Sequence, residues 1–208
     1  IIGGLAGHER KIMGLKVLMP PPLTPYNSWL QIYLEKANAS KKARFIEDSQ
    51  MSLAKFLLKR YQAVSLINLP IINDLRGFLW TGFRLETRYT YLINLNNLEQ
   101  LWANINHDVR TKVRKGEKLG WNFHSNNDCN ALVSLLRQTE TRQKIKFKLD
   151  DNILLELFQE LVLKKFLQIF SVTIEGKPAA AVAIFHDYNG ILHEWVAGTC
   201  ISRDTAGV

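Results

Sequence analysis

Thiols are scarce: Cys129 and Cys200 are the only two, far apart in a chain of 208 residues. Such a pair builds neither a disulfide framework nor a zinc cluster, and a reducing cytoplasm is the simpler setting. Long apolar runs are lacking too. A spanning helix needs about 20 consecutive apolar residues, whereas Leu66 to Ile72 and Ala179 to Phe185 are short and interrupted. The sequence contains no Walker loop, no Rossmann glycine fingerprint and no paired metal-ligand motif. It has no short-period repeat and no low-complexity segment. Residues 1–6 begin with Ile rather than Met and carry neither a basic leader nor a small-residue cleavage site, so the natural start is expected upstream.

What is present is an ordinary globular composition, 47% hydrophobic and 22% charged, in a length that suits one large domain or two small ones. The balance of 27 basic against 19 acidic residues leaves a net charge of +8. That charge attracts nucleic acid, phosphate-bearing cofactors or a lipid surface, without choosing among them.

Along the chain, Ile1 to Ala6 and Leu15 to Met19 are expected as short strands, followed by a rigid loop holding Pro20, Pro21, Pro22 and Pro25. From Asp48 to Tyr61, Met51, Ala54, Leu58 and Tyr61 recur at helical spacing with Lys55, Lys59 and Arg60 between them. Ala63 to Leu69 is expected as a strand. Asn73-Asp74 opens a turn-rich stretch to Gly82, and Phe83 to Leu95, dense in aromatic and β-branched residues, is expected to be extended. A domain change is placed near Leu95. Helical pattern resumes over Asn97 to Asn104, and Asp108 is expected to cap a helix ending at Gly120. Two stronger amphipathic helices follow, Asp128 to Arg142 and Asp151 to Lys164. The strands Leu167 to Glu175, Pro178 to Asp187 and Ile191 to Thr199 are joined by Glu175-Gly176-Lys177 and Tyr188-Asn189-Gly190, both with hairpin chemistry. The sheet is therefore antiparallel there. Its middle strand is apolar on both faces, which asks for helices on both sides.

Several segments carry a resemblance. These are Pro21-Pro22-Leu23-Thr24-Pro25-Tyr26, Leu69-Pro70 with Asn73-Asp74, Phe78-Leu79-Trp80-Thr81-Gly82-Phe83, and Arg88-Tyr89-Thr90-Tyr91. Leu98 to Trp102 and Arg110 to Lys115 follow in the same order. Together they resemble the Fem-type and related GNAT acyltransferases, which have twin GNAT-like domains. The resemblance implies an α/β (α+β) fold with a mixed, largely antiparallel sheet and helices on both faces. Residues 1–95 would be the C-terminal part of a first GNAT-like unit. Residues 96–208 would be a helical entry and a second unit that stops before its last helix and strands. It also implies transfer of an acyl group to an amine, from acyl-CoA or, in the peptidoglycan-bridge branch, from aminoacyl-tRNA, with no metal. The acceptor would be a small molecule or a peptidoglycan precursor, in cytoplasmic cell-envelope biosynthesis, with tRNA and a peripheral membrane surface as partners. In acyl-CoA members a helix N-terminus after the fourth strand holds the pyrophosphate; Arg203 and Gly207 sit where such a loop would begin. The donor stays open.

Arg110, Arg114 and Lys118 fall at i, i+4 and i+8, a basic stripe suited to phosphates or a solvated helix face. Arg142 matches an arginine position in the resembled family, and equally complements a helix C-terminus. His193 and Glu194 are adjacent on the last strand and point to opposite faces unless a bulge intervenes, so at most one of these general-base candidates faces a pocket. Asp74 and Arg76 are candidates for substrate binding, although Asn-Asp turn chemistry explains them equally. Tyr89 and Tyr91 share a strand face and either stack on rings or pack in the core. Cys200 is expected to be an inert thiol. A different class of reading keeps the basic stripe and aromatics as a non-catalytic nucleic-acid-binding or scaffold module.

Overall fold

A computed structural model describes residues 3–31, 37–145, 149–187 and 190–200. Residues 188 and 189 of the expected second hairpin turn, together with Arg203 and Gly207, lie outside the described residues. The fold is mixed α/β with largely antiparallel sheets, and the chain divides into two compact units, Ile1–Tyr91 and Leu92–Val208.

In the first unit β1 (Gly3–Leu5) pairs antiparallel with β4 (Trp29–Gln31), and β2 (His8–Ile12) pairs antiparallel with β3 (Leu15–Met19). The two-residue turn Met13-Gly14 has positive φ at both positions, 50° and 82°, as a tight hairpin that matches strand twist requires. β5 (Ala63–Val64) adds to β3 in parallel. It is shorter than the expected strand because the buried Asn27 takes over the bonding. The Asn27 amide donates to the Ile67 carbonyl at 3.0 Å, its Oδ1 accepts from Ile67 N at 2.7 Å, and its Nδ2 donates to the Ser65 carbonyl at 3.2 Å.

The helix α1 spans Ala39–Arg60 and starts well before the apolar periodicity, because the Asn38 side chain caps it by accepting from Lys41 N at 2.9 Å. Within the expected turn lies a short helix, α2 (Arg76–Trp80), seated so closely on α1 that a Cβ on Gly77 would come within 2.6 Å of the Glu47 carbonyl. Trp29, Ala54 and Phe78 centre the core of this unit, with Leu5, Leu53, Leu66, Ile72, Leu75 and Phe83 around them.

The second unit contains α3 (Leu98–Asn104), α4 (His107–Lys118), β6 (Asn122–Ser125), α5 (Cys129–Gln143), α6 (Asp151–Leu163), β7 (Leu167–Ile174), β8 (Lys177–His186) and β9 (Leu192–Thr199). Asn106, not Asp108, caps α4, accepting from Asp108 N at 2.8 Å. The four strands form one antiparallel sheet in the order β6-β7-β8-β9. Between β7 and β8 the loop Glu175-Gly176 has φ of 50° and 75°, again the tight hairpin form.

One face of this sheet carries Leu167, Ile169, Ala179, Ala181, Ala183 and Gly198, all buried. The helix α5 lies on it so closely that a Cβ on Gly198 would meet the Leu135 carbonyl carbon at 2.5 Å. From α6, the fully buried Phe158 reaches Trp195 on β9, ring centroids 5.7 Å apart. Among the described residues the expected helical cover is present on this face. The opposite face carries Phe170, Val172, Val182 and Ile184, partly buried, and Phe123, 69% exposed and stacked on Phe170. Phe83 to Leu95 is extended in sequence character but belongs to no strand, and Tyr89 and Tyr91 are exposed rather than packed in a core.

Candidate functional site

The sheet of the second unit ends on β9, and the register there is broken once. Ala183 faces Val196 while Ile184 faces Glu194, so Trp195 is an extra residue on β9. This is a β-bulge, which bends the strand and interrupts its ladder. It also fixes the two general-base candidates. His193 pairs with Phe185 and therefore shares the helix-covered face with Ala181 and Ala183, whereas Glu194 pairs with Ile184 and takes the opposite face.

Their surroundings differ accordingly. The rings of Trp195 and Phe185 lie 6.0 Å apart, and those of Phe185 and His193 6.5 Å. His193 Nε2 is 3.6 Å from Asp187 Oδ2, and Asp187 is itself fixed by accepting from Ile191 N at 2.8 Å. His193 is thus built into an aromatic wall, with the Asp187 carboxylate 3.6 Å away. Glu194 is exposed and has no polar partner among the described residues. Its side chain lies beside the bulge.

The far end of β9 is tied to α5. The Thr139 hydroxyl accepts from Thr199 N at 2.8 Å and donates to the Thr199 carbonyl at 3.3 Å, standing in for a neighbouring strand. Arg142 donates to Thr199 Oγ1 at 2.6 Å and to the Cys200 carbonyl at 3.1 Å. Its position at the end of α5 also suits the helix dipole. Outward backbone groups alternate along an antiparallel edge, so those of Ala197, two residues before Thr199, face the same open side. Nothing in the sequence singles out Asp187 or Thr139. Their roles depend on contacts with Ile191 and Thr199 that only the folded register creates.

The remaining candidates lie elsewhere. Asp74 and Arg76 grip each other: Arg76 Nε donates to Asp74 Oδ1 at 3.0 Å and Arg76 Nη2 to Oδ2 at 2.7 Å. Arg76 holds the Asp74 carboxyl below its ordinary range, and Asp74 raises the guanidinium in return. The pair locks the entry to α2, where the buried Gln50 donates to the Asp74 carbonyl at 2.7 Å and accepts from Gly77 N at 3.1 Å. Arg110, Arg114 and Lys118 do form a stripe on α4. Arg114 and Lys118 are exposed, while Arg110 is half-buried with an enclosed Nε that has no hydrogen-bond partner.

A cavity of about 490 Å³ is an open groove between α5 and α6 lined by Val133, Arg137, Gln138, Asp151 and Leu155. None of the candidate residues lines it. Arg137 there donates to Glu140 at 2.8 Å and to the Leu149 carbonyl at 2.5 Å, bracing α5 against the start of α6. The hydrogen bond to Glu140 raises the Arg137 guanidinium further. The groove follows the seam between α5 and α6. Burial pushes the Cys129 thiol up, away from the reactive thiolate. No group of three or more metal-ligating side chains occurs among the described residues, and no described helix is long and apolar enough to cross a membrane.

No family profile and no curated protein matches the chain. Among solved structures it is similar to a predicted acetyltransferase from Clostridium acetobutylicum, solved with acetyl-CoA. The identity is 17%, the match covers 42% of this chain and 65% of that one, and the TM-score is 0.33. A likeness of this size assigns neither architecture nor activity. The geometry of β9 has to stand by itself.

Proposed function

We propose that the second unit is a GNAT-like N-acyltransferase whose reaction takes place at the edge of β9, which pairs with no further strand among the described residues. The observation that carries this is the bulge at Trp195 beside Glu194, which is exposed and has no polar partner among the described residues. An amine attacking an acyl carbonyl must lose a proton, and an exposed carboxylate accepts it directly or through one water. The attacked carbonyl oxygen gathers negative charge, which backbone N–H groups on an unpaired strand edge are suited to hold. The new C–N bond forms as the thioester or ester bond to the donor breaks, and the leaving thiol or hydroxyl takes a proton from solvent. Most of the rate then comes from positioning, in agreement with the lack of a motif. The order α5-α6-β7-β8-β9 supports the reading, because it is the two helices followed by three antiparallel strands that the sequence leads one to expect of such a unit.

In this scheme Glu194 is the base. His193, packed beside Phe185 and near Asp187, is a packing residue of β9, and Arg142 with Thr139 fixes the strand end. The donor is acyl-CoA or aminoacyl-tRNA and the acceptor a small amine or a peptidoglycan precursor.

The test is to offer acetyl-CoA and aminoacyl-tRNA separately to the intact gene product with amine acceptors. Transfer that falls by about 10²–10⁴ in Glu194→Gln is expected for loss of a general base. Absence of transfer from either donor, with salt-sensitive binding of nucleic acid instead, replaces the proposal with the non-catalytic module.

A further inference from the structure

The outward side of α5 differs from that of the other long helices. α1 and α4 turn charge to solvent, with Lys41, Arg44, Asp48, Lys55 and Lys59 exposed on the first and Lys112, Arg114, Lys115 and Lys118 on the second. On α5 the row Asn130, Ser134, Gln138 and Thr141, exposed or half-exposed, is uncharged throughout in a chain of net charge +8.

This row lines the groove of about 490 Å³, whose apolar side chains are Val133 and Leu155. A second hollow of about 340 Å³ is walled by Gln159, Val162 and Leu163 of α6, and Asn130 lines both, so the two follow one another along the seam of the helices. The charges here are few and already engaged. Arg137 is ion-paired with Glu140 and Asp151, and Asp128 caps α5 by accepting from Ala131 N at 2.9 Å. Among the described lining residues two carboxylates, Asp128 and Asp151, stand against one guanidinium, so a polyanion is not attracted. Nor does any aromatic ring line the trough, among the described residues, for a sugar face to stack on.

The spacing of the row suits a different ligand. Side chains four residues apart on a helix stand about 6 Å apart along its axis. An extended polypeptide offers an N–H and a C=O on the same edge at every second residue, about 6.7 Å apart. From Asn130 to Thr141 the row runs about 17 Å, the length of roughly five extended residues. Carboxamides and hydroxyls both donate and accept, as such an edge requires. The side chains of Asn130, Ser134 and Asn152 make no hydrogen bond with a described residue, and the Thr141 hydroxyl, which donates to the Arg137 carbonyl at 2.9 Å, keeps its acceptor sites. Beyond Asn130, Leu163 is 76% exposed beside Val162, a seat for an apolar side chain.

We infer that the α5–α6 trough binds an extended, uncharged segment of another polypeptide through its main chain, with Asn130, Ser134 and Gln138 at successive peptide groups and an apolar side chain against Val162 and Leu163. The surface is not the edge of β9, and it is read by binding alone, so the inference and the acyltransferase assignment fail separately.

The test is to pan the full chain against phage-displayed random heptapeptides and to measure the enriched sequences, made as end-blocked peptides, by fluorescence polarisation. The enriched sequences are expected to carry an apolar residue and no excess of acidic ones. At about fivefold in affinity per hydrogen bond, Asn130→Ala with Ser134→Ala should raise Kd by roughly 25-fold. Leu163→Ser should weaken binding as well. N-methylation of alternate peptide nitrogens should abolish binding, and methylation of those between them should be tolerated. Circular dichroism confirms that these surface variants keep their helix content. Enrichment no better than on an unrelated protein overturns the inference. So does a Kd unmoved by the double alanine variant, or tolerance of N-methylation at every position. Binding of maltoheptaose without binding of peptide overturns it in favour of carbohydrate.

Discussion

Gly198→Ala should damage this protein far more than one methyl group suggests. The added Cβ would sit 2.5 Å from the Leu135 carbonyl carbon, 2.6 Å from Leu136 N and 2.9 Å from Leu135 Cβ. Comfortable carbon contacts begin near about 3.5 Å. The obstacle is mostly helix backbone, so no rotamer change relieves it and α5 must retreat by about an ångström. Overpacking of this kind costs about 1–3 kcal/mol. The retreat also stretches the 2.8 Å bond from Thr199 N to Thr139, and a lost hydrogen bond adds about 1 kcal/mol. The expected loss is therefore about 3 kcal/mol. Urea unfolding followed by tryptophan fluorescence measures it: at a slope of about 2 kcal/mol per molar, the midpoint falls by roughly 1.5 M with an unchanged slope. Ala197→Ser, on the exposed face of the same strand, is the control and should stay within about 0.5 kcal/mol. A Gly198→Ala midpoint equal to that of the control would refute the close seating of α5.

Three other outcomes are expected. Glu194→Gln should lower acyl transfer without moving the unfolding midpoint, whereas His193→Ala should lower the midpoint by loosening Phe185 and Asp187; equal losses of turnover at constant stability would contradict their opposite placement. Arg137→Met removes the guanidinium that Glu140, 7% exposed, accepts from, which should cost about 1–3 kcal/mol; adding Glu140→Gln should recover part of it in denaturant titration, and no recovery would mean the pair is not coupled. Asp74 has a lowered folded pKa through its hydrogen bonds from Arg76, so its stabilisation is complete above the unfolded carboxylate range and drains away as pH falls through the lower folded value. Asp74→Asn should thus flatten the acid limb of the stability curve below about pH 4, and an unaltered limb would place the acid sensitivity elsewhere.

The parts legible in the sequence are those where burial enforces a period. α5 and α6 follow their apolar repeat to within a residue or two at each end, and β7, β8 and β9 follow their apolar runs, because each must present a continuous face to the same core. β2 and β6 escape notice because His8–Ile12 and Asn122–Ser125 are edge strands without a buried alternation. The first turns of α1 are set by the Asn38 cap over a polar stretch, so apolar spacing alone starts the helix too late. Ser65 to Leu69 has strand composition, but a side chain, Asn27, occupies its bonding groups. At the candidate site, the opposed directions of His193 and Glu194 were legible from strand alternation. The bulge at Trp195 was not, because a one-residue slip leaves no compositional trace and exists only in the pairing with Ala183 and Ile184.

The row of Ala179, Ala181, Ala183 and Gly198 beneath α5 also bears on how this sequence can drift. With every position small, the helix rests on the strands almost backbone to backbone, and the 2.8 Å reach of Thr139 to Thr199 depends on that short separation. Substitutions at the three alanines should be confined to glycine, alanine and serine, and Gly198 should stay glycine, since anything larger lifts α5 from the strand it clamps. Phe170, Val172, Val182 and Ile184 across the sheet meet no such floor among the described residues and can exchange among apolar residues of several sizes. Among descendants of this sequence the two sides of one sheet should therefore diverge at unequal rates, with the α5 side changing slowest where its residues are smallest.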